Sequence, residues 1–447
     1  MLNKVLQFFF YSSFQKIISL FFTSILIILL EKEIFGIYNL FYSFSNIIVT
    51  ILTFEIVRIF QTKASFHEKI EIPEFLSLFI FLYLVICIFF VVWKIYLVNF
   101  FFSDLKNYSI FYFLIFTFLL INHKFLLHYF LAKKEIKKLI LLTLLFPGLN
   151  FISIFLFLFI KEDFLDMFFL SNIFSVFFII KIFKNFFIIK LSLLKKVFSN
   201  FKIYFQKSFY YYFISLKDQL YTLVIFGFIL SKDLTSVANI SFLLFIGQII
   251  NIFSQIFLNI FINKGSLKRK ESFLIFPIFI FISYTSIIVL YSCSWFIDIF
   301  FSKYSAIFNN YGLLALNFGV ITGLLGITSV NIVKNRFKTI STSIFIYLSI
   351  FFMIFFIFDK FFVIEIKFFL FLIISNLFVI IYLMFGISGL KKYIFRMKYN
   401  CLIILTYSFL PLFSNAFTYY ILTWFFLVIV NYKNIKSFLT TKITHSF

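Results

Sequence analysis

Between its clusters of basic residues, this chain is an almost unbroken series of apolar runs about 20 residues long. That length restricts the folds open to it. A helix rises about 1.5 Å per residue, so about 20 residues match the roughly 30 Å hydrocarbon layer of a bilayer. Within that layer each backbone N–H and C=O must be satisfied inside the protein, and a helix does this within one segment. Hydrophobic residues make up 63% of the 447 positions, against about 45–50% in a soluble domain. The expected fold class is therefore an all-α polytopic membrane protein. Twelve core spans are expected, at about 9–30, 36–60, 75–97, 108–130, 139–160, 164–182, 209–230, 236–262, 273–297, 311–333, 339–358 and 364–386. A last apolar stretch, 401–431, is long for one span and short for two. It reads as a C-terminal hydrophobic hairpin, either two short spans or a re-entrant turn near Ser414-Asn415.

The net charge of +23 would suit a nucleic-acid binder if it were gathered on one patch. It is instead dealt out to alternate loops. Lys63 and Lys69, Lys133 to Lys138, the run from Lys181 to Lys207, Lys264 to Lys270, Lys334 to Lys338 and Lys391 to Lys398 fall on one side. Glu31 and Glu33, Asp104, Glu162 and Asp163, Asp233, Asp298 and Asp359 fall on the other. Basic loops stay cytoplasmic, so both termini are expected inside and no nucleic-acid partner is implied. Cys87, Cys293 and Cys401 sit in or beside apolar runs without metal-ligand spacing. No phosphate-cradling glycine loop is present in the sequence either. These features point away from soluble-type enzyme chemistry, and no catalytic residue, metal or cofactor is expected.

The chain also repeats itself. Residues 9–60 form an apolar arm, a charged turn (EKEIFG) and a second arm, and residues 209–262 do the same. With a shift of 200, Lys32 falls on Lys232, Glu33 on Asp233, Ile37 on Val237, Asn39 on Asn239 and Glu55 on Gln255. Two parallel repeats of this kind are a common plan for transporters. The expected organisation is an N-terminal six-helix lobe over 1–182, a basic cytoplasmic linker over 183–208 and a C-terminal six-helix lobe over 209–390. A hairpin and basic tail over 391–447 complete it.

Polar residues inside spans carry the functional signal, because an ionisable group there costs roughly 2.5–3.5 kcal/mol on insertion scales. Span one holds Lys16, and span two holds Glu55 and Arg58. Span four holds Asn122, His123, Lys124 and His128; span seven holds Lys217 and Asp218. Span eight carries Gln248, Asn251, Gln255 and Asn259, spaced 3, 4 and 4, which puts them on one helix face. A polar, net-cationic cavity between two lobes is expected. Each feature has a plainer alternative. Lys16 and Arg58 lie near the inner surface and can snorkel to water. Lys217 and Asp218 can be a structural ion pair, and the span-eight stripe can be glue between helices.

The first hairpin, LLEKEIFGIYNLFYSF followed by TFEIVRIFQ, resembles the opening of bacterial O-antigen and polysaccharide flippases. These belong to the multidrug/oligosaccharidyl-lipid/polysaccharide exporter superfamily. Their first outer turn typically has an acidic residue, an aromatic-glycine pair and a further aromatic, here Glu33, Phe35, Gly36 and Tyr38. YFLAKKEIKKL at 129–139 is similar to their basic loop after span four, and SKDLTSVANISFLLF to their seven-to-eight turn. Ser236 departs from the pattern where Gly36 stands in the first repeat, as does the extra hairpin after 400. The resemblance implies a bacterial inner-membrane protein that flips undecaprenyl-diphosphate-linked oligosaccharide repeat units outward by alternating access. Membrane lipids, a polysaccharide polymerase and a chain-length regulator are the partners it implies. Lys16, Arg58, Lys124 and Lys217 then suit the pyrophosphate, and Gln248, Asn251, Gln255 and Asn259 the glycan. Glu55 and Asp218 are the candidates for coupling to H+ or Na+, since a buried carboxylate has a switchable pKa. Two other classes stay open: an O-antigen polymerase, which would be expected to carry one large outer loop, and a drug or ion exporter of the same superfamily.

Overall fold

A computed structural model of the chain describes residues 17–53, 110–133, 135–160, 163–182, 234–247, 294–304, 337–357 and 364–385, with single positions between them. Every regular element among the described residues is helical. In chain order they are α1 (Ile17–Leu29), α2 (Lys32–Thr53), α3 (Ile110–Lys133), α4 (Ile136–Ile160) and α5 (Phe164–Ile182). Then come α6 (Leu234–Gly247), α7 (Ser294–Phe300), α8 (Phe337–Ile357) and α9 (Ile364–Phe385). The long helices α2 to α5, α8 and α9 run 19 to 25 residues, or about 28–38 Å, the thickness of a bilayer core.

Helix ends follow local chemistry. Between α1 and α2 only Leu30 and Glu31 leave the helical path. The Leu30 N–H donates to the Leu26 carbonyl at 2.9 Å and the Phe35 N–H to the Glu31 carbonyl at 2.9 Å. Most of the expected turn EKEIFG is therefore the first turn of α2, where Glu33 complements the positive helix end. The α3–α4 turn closes with the Glu135 N–H on the Phe130 carbonyl at 3.0 Å, and the Leu139 N–H on the Glu135 carbonyl at 3.1 Å begins α4. Asp163 caps α5: its Oδ1 accepts from the Leu165 N–H at 3.0 Å, and its carbonyl accepts from the Met167 N–H at 3.2 Å. Losing such a cap costs about 0.5–2 kcal/mol. Asp163→Ala should accordingly lower the unfolding temperature in detergent, and Asp163→Asn should keep most of it. The helix α4 runs unbroken through Pro147-Gly148, so that pair neither starts nor ends a span.

The chain divides into two compact units, residues 17–238 and residues 1–16 with 239–447. In the first, α3 packs on α2, α4 and α5, and α4 packs on α5. Aromatic side chains join them: Phe41 of α2 lies 5.3 Å from Phe113 and 5.0 Å from Phe169 between ring centroids, and Tyr38 lies 5.2 Å from Phe168. These pairs are edge-on, the arrangement ring quadrupoles favour. In the second unit α8 packs on α9, and Phe242 stacks on Tyr304 at 4.4 Å.

Besides an apolar core, the first unit has phenylalanines on its outer faces and small polar residues between helices. Phe151, Phe155 and Phe159 of α4 and Phe174 and Phe177 of α5 are exposed. Ser153, Ser171, Asn172 and Ser175 on the same two helices are buried, and the Ser153 and Ser171 hydroxyls share a hydrogen bond of 2.6 Å between them. Phenylalanine stripes of this extent are unstable against water but match acyl chains, and small polar residues let helices close up in lipid. Among the described residues, Phe164–Lys181 is the stretch both long and uniformly apolar enough to cross a membrane.

Candidate functional site

Of the residues the sequence nominates, Lys124 is the one that falls among the described residues. It is half-buried on α3, between Asn122 and Phe125, which are 2% and 1% exposed. Nine positions separate it from Lys133 at the end of α3, so its Cα is about 14 Å from that end. This is a cation set well inside a span. Its span-four neighbours divide into different roles. The Asn122 amide donates to the Phe118 carbonyl at 2.8 Å. His123 Nε2 lies 2.9 Å from the Leu142 carbonyl, which can only accept, so that nitrogen carries the proton and the ring ties α3 to α4. Asn122 is satisfied within α3, and His123 helps hold α3, which carries Lys124, against α4. Lys16, Arg58, Lys217, Gln248, Asn251, Gln255, Asn259, Glu55 and Asp218 lie outside the described residues, as does the side chain of His128.

A second polar feature escaped the reading of spans by their charges. Asn39, Tyr42, Ser43, Asn46, Thr50 and Thr53 recur along α2 at spacings of 3, 1, 3, 4 and 3, one face of a helix. Thr50 and Thr53 are buried, at 3% and 0% exposure, whereas Tyr42 is 41% exposed. Asn39, Ser43 and Asn46 are part-exposed. One amide N–H of Asn39 donates to the Phe35 carbonyl at 2.8 Å, and one of Asn46 to the Tyr42 carbonyl at 3.0 Å. The spacing was visible in the sequence; lacking a charge, it did not stand out there.

The two repeated turns meet. A Cβ on Gly36, in the first turn of α2, would lie 2.6 Å from the Leu234 carbonyl oxygen and 3.6 Å from the Ala238 nitrogen, in the first turn of α6. Glycine is what allows the two backbones this approach. Val237 and Ala238 are fully buried there.

Long helices with apolar outer faces and small polar residues between them define a polytopic helical membrane protein. The chain matches no family model and no curated protein. Among solved structures it is similar to one titled lipid II flippase MurJ, inward closed conformation. The likeness has a TM-score of 0.59 at 16% identity and covers 100% of both chains. The chain has that membrane-transporter fold.

Proposed function

We propose that this protein is a flippase for lipid-linked glycan precursors. It moves undecaprenyl-diphosphate-linked oligosaccharide repeat units from the inner to the outer leaflet, by alternating access, for O-antigen or capsule synthesis. The observation that carries the reading is the full-length likeness to a lipid II flippase. The residues supply a matching chemistry. A diphosphate leaving water needs cations in a low-dielectric setting, and Lys124 sits at mid-span on α3; Lys16, Arg58 and Lys217 are proposed to join it. The span-eight polar stripe is proposed for the glycan, and Glu55 and Asp218 for ion coupling. The inner membrane, with both termini cytoplasmic, is the proposed location.

The neighbour's title supports a second reading, in which lipid II itself, another lipid-linked precursor, is the cargo. Deletion of the chromosomal gene separates the two. Loss of surface polysaccharide, with lipid-linked repeat units accumulating on the cytoplasmic leaflet of viable cells, is the expected result. Accumulation of lipid II with lysis would instead assign the peptidoglycan precursor. Repeat units that reach the periplasm but stay unpolymerised would make the protein a polymerase.

A further inference from the structure

The polar face of α2 is out of keeping with the described outer faces of α4 and α5. Where α4 and α5 are exposed they present phenylalanine: Phe155 is 50%, Phe159 71% and Phe174 64% exposed. The open part of α2 presents Asn39, Tyr42, Ser43 and Asn46. Asn39 and Asn46 each place one amide N–H on a backbone carbonyl. The amide and hydroxyl capacity beyond those bonds would cost several kcal/mol against acyl chains, so a protein that lines its lipid faces with phenylalanine does not turn this face to lipid. The face meets water or a polar ligand.

Its composition narrows the ligand. None of the four residues is charged, which argues against a phosphate. Tyr42 offers a ring held in place by Tyr38, stacked at 6.4 Å, and by Phe116 at 5.9 Å. A rigid, part-exposed aromatic ring flanked by two amides suits a pyranose, whose C–H face packs on the ring while its hydroxyls exchange hydrogen bonds with the amides. The other repeat lacks this face. At the position 200 residues on, Phe242 is 0% exposed and closed over by Tyr304 at 4.4 Å.

We infer that Asn39, Tyr42, Ser43 and Asn46 on α2 form a contact surface for the sugar part of the cargo, separate from the cations that take its diphosphate. This rests on the flippase reading. The test uses the full-length protein in proteoliposomes, with Cys87, Cys293 and Cys401 replaced by serine and one cysteine added at Ser43→Cys. Phe155→Cys serves as the lipid-facing control. A water-soluble methanethiosulfonate reagent is expected to modify residue 43 and leave residue 155 untouched. Undecaprenyl-diphosphate-linked repeat units, extracted from a strain deleted for this gene, are expected to slow modification at least about fivefold. Undecaprenyl diphosphate without sugar is expected to leave the rate unchanged. Asn39→Leu with Asn46→Leu should weaken the glycan-bearing lipid and spare the bare one, in a binding titration on wild type and variant. Residue 43 staying as unreactive as residue 155 would overturn the inference, and so would equal protection by both lipids. If neither lipid binds wild type in that titration, the flippase reading fails and takes the inference with it.

Discussion

Lys217→Ala is expected to leave the protein in the membrane at wild-type levels and to lower export by about one to two orders of magnitude. Lipid-linked repeat units should build up on the cytoplasmic leaflet. The expectation starts from depth. Lys217 lies 8 residues after the start of the apolar run at 209, which would put it about 12 Å into the span the sequence predicts there. An ammonium there costs roughly 2.5–3.5 kcal/mol unless an anion or cavity water offsets it. A charge-assisted hydrogen bond contributes about 1.5–3 kcal/mol, which sets the size of the loss. Lys217→Arg should keep part of the activity, because the proposed diphosphate would need charge more than shape. Normal export by the alanine variant at equal protein level would show that the cation is structural.

Gly36→Val should damage the fold itself. The atom a new Cβ would strike, 2.6 Å away, is the Leu234 backbone carbonyl oxygen, which cannot rotate aside as a side chain would. Overpacking of this kind costs about 1–3 kcal/mol, and valine adds two further carbons to the clash. The expected result is a melting temperature in detergent lower by several degrees, together with reduced export; Gly36→Ala should fall in between. Gly148→Ala is the matched control, since a Cβ there meets nothing within 4 Å and surface changes stay within about 0.5 kcal/mol. Equal melting temperatures for Gly36→Val and Gly148→Ala would remove the contact from the account.

The helices themselves were close to the surface of the sequence. The span expected at 164–182 is α5 to the residue, and those at 339–358 and 364–386 match α8 and α9 within two. Apolar length is a local property, so a run of residues suffices to show it. Ends were less legible where charge was taken for turn: Lys32 and Glu33 belong to α2, and Lys133 is the last residue of α3. Charged residues are welcome in a helix's first and last turns, so charge alone does not mark the break. Contacts across distance were not legible at all. Nothing about His123 announces Leu142, and nothing about Gly36 announces Leu234. The α2 stripe falls between these cases, being a periodicity without a charge to draw notice.

The two-residue join between α1 and α2 has a mechanical side. The three residue steps from Leu29 to Lys32 reach about 11 Å at most when fully extended, part of which the turn already uses. The 22 residues of α2 make a lever about 33 Å long. Swinging it by about 20° around its far end would carry the end at Lys32 about 11 Å, more than the join can pay out. In the transport cycle proposed here, α1 would have to follow any large stroke of α2, and the face bearing Asn39 and Asn46 would travel with both. The hairpin would then move as one piece.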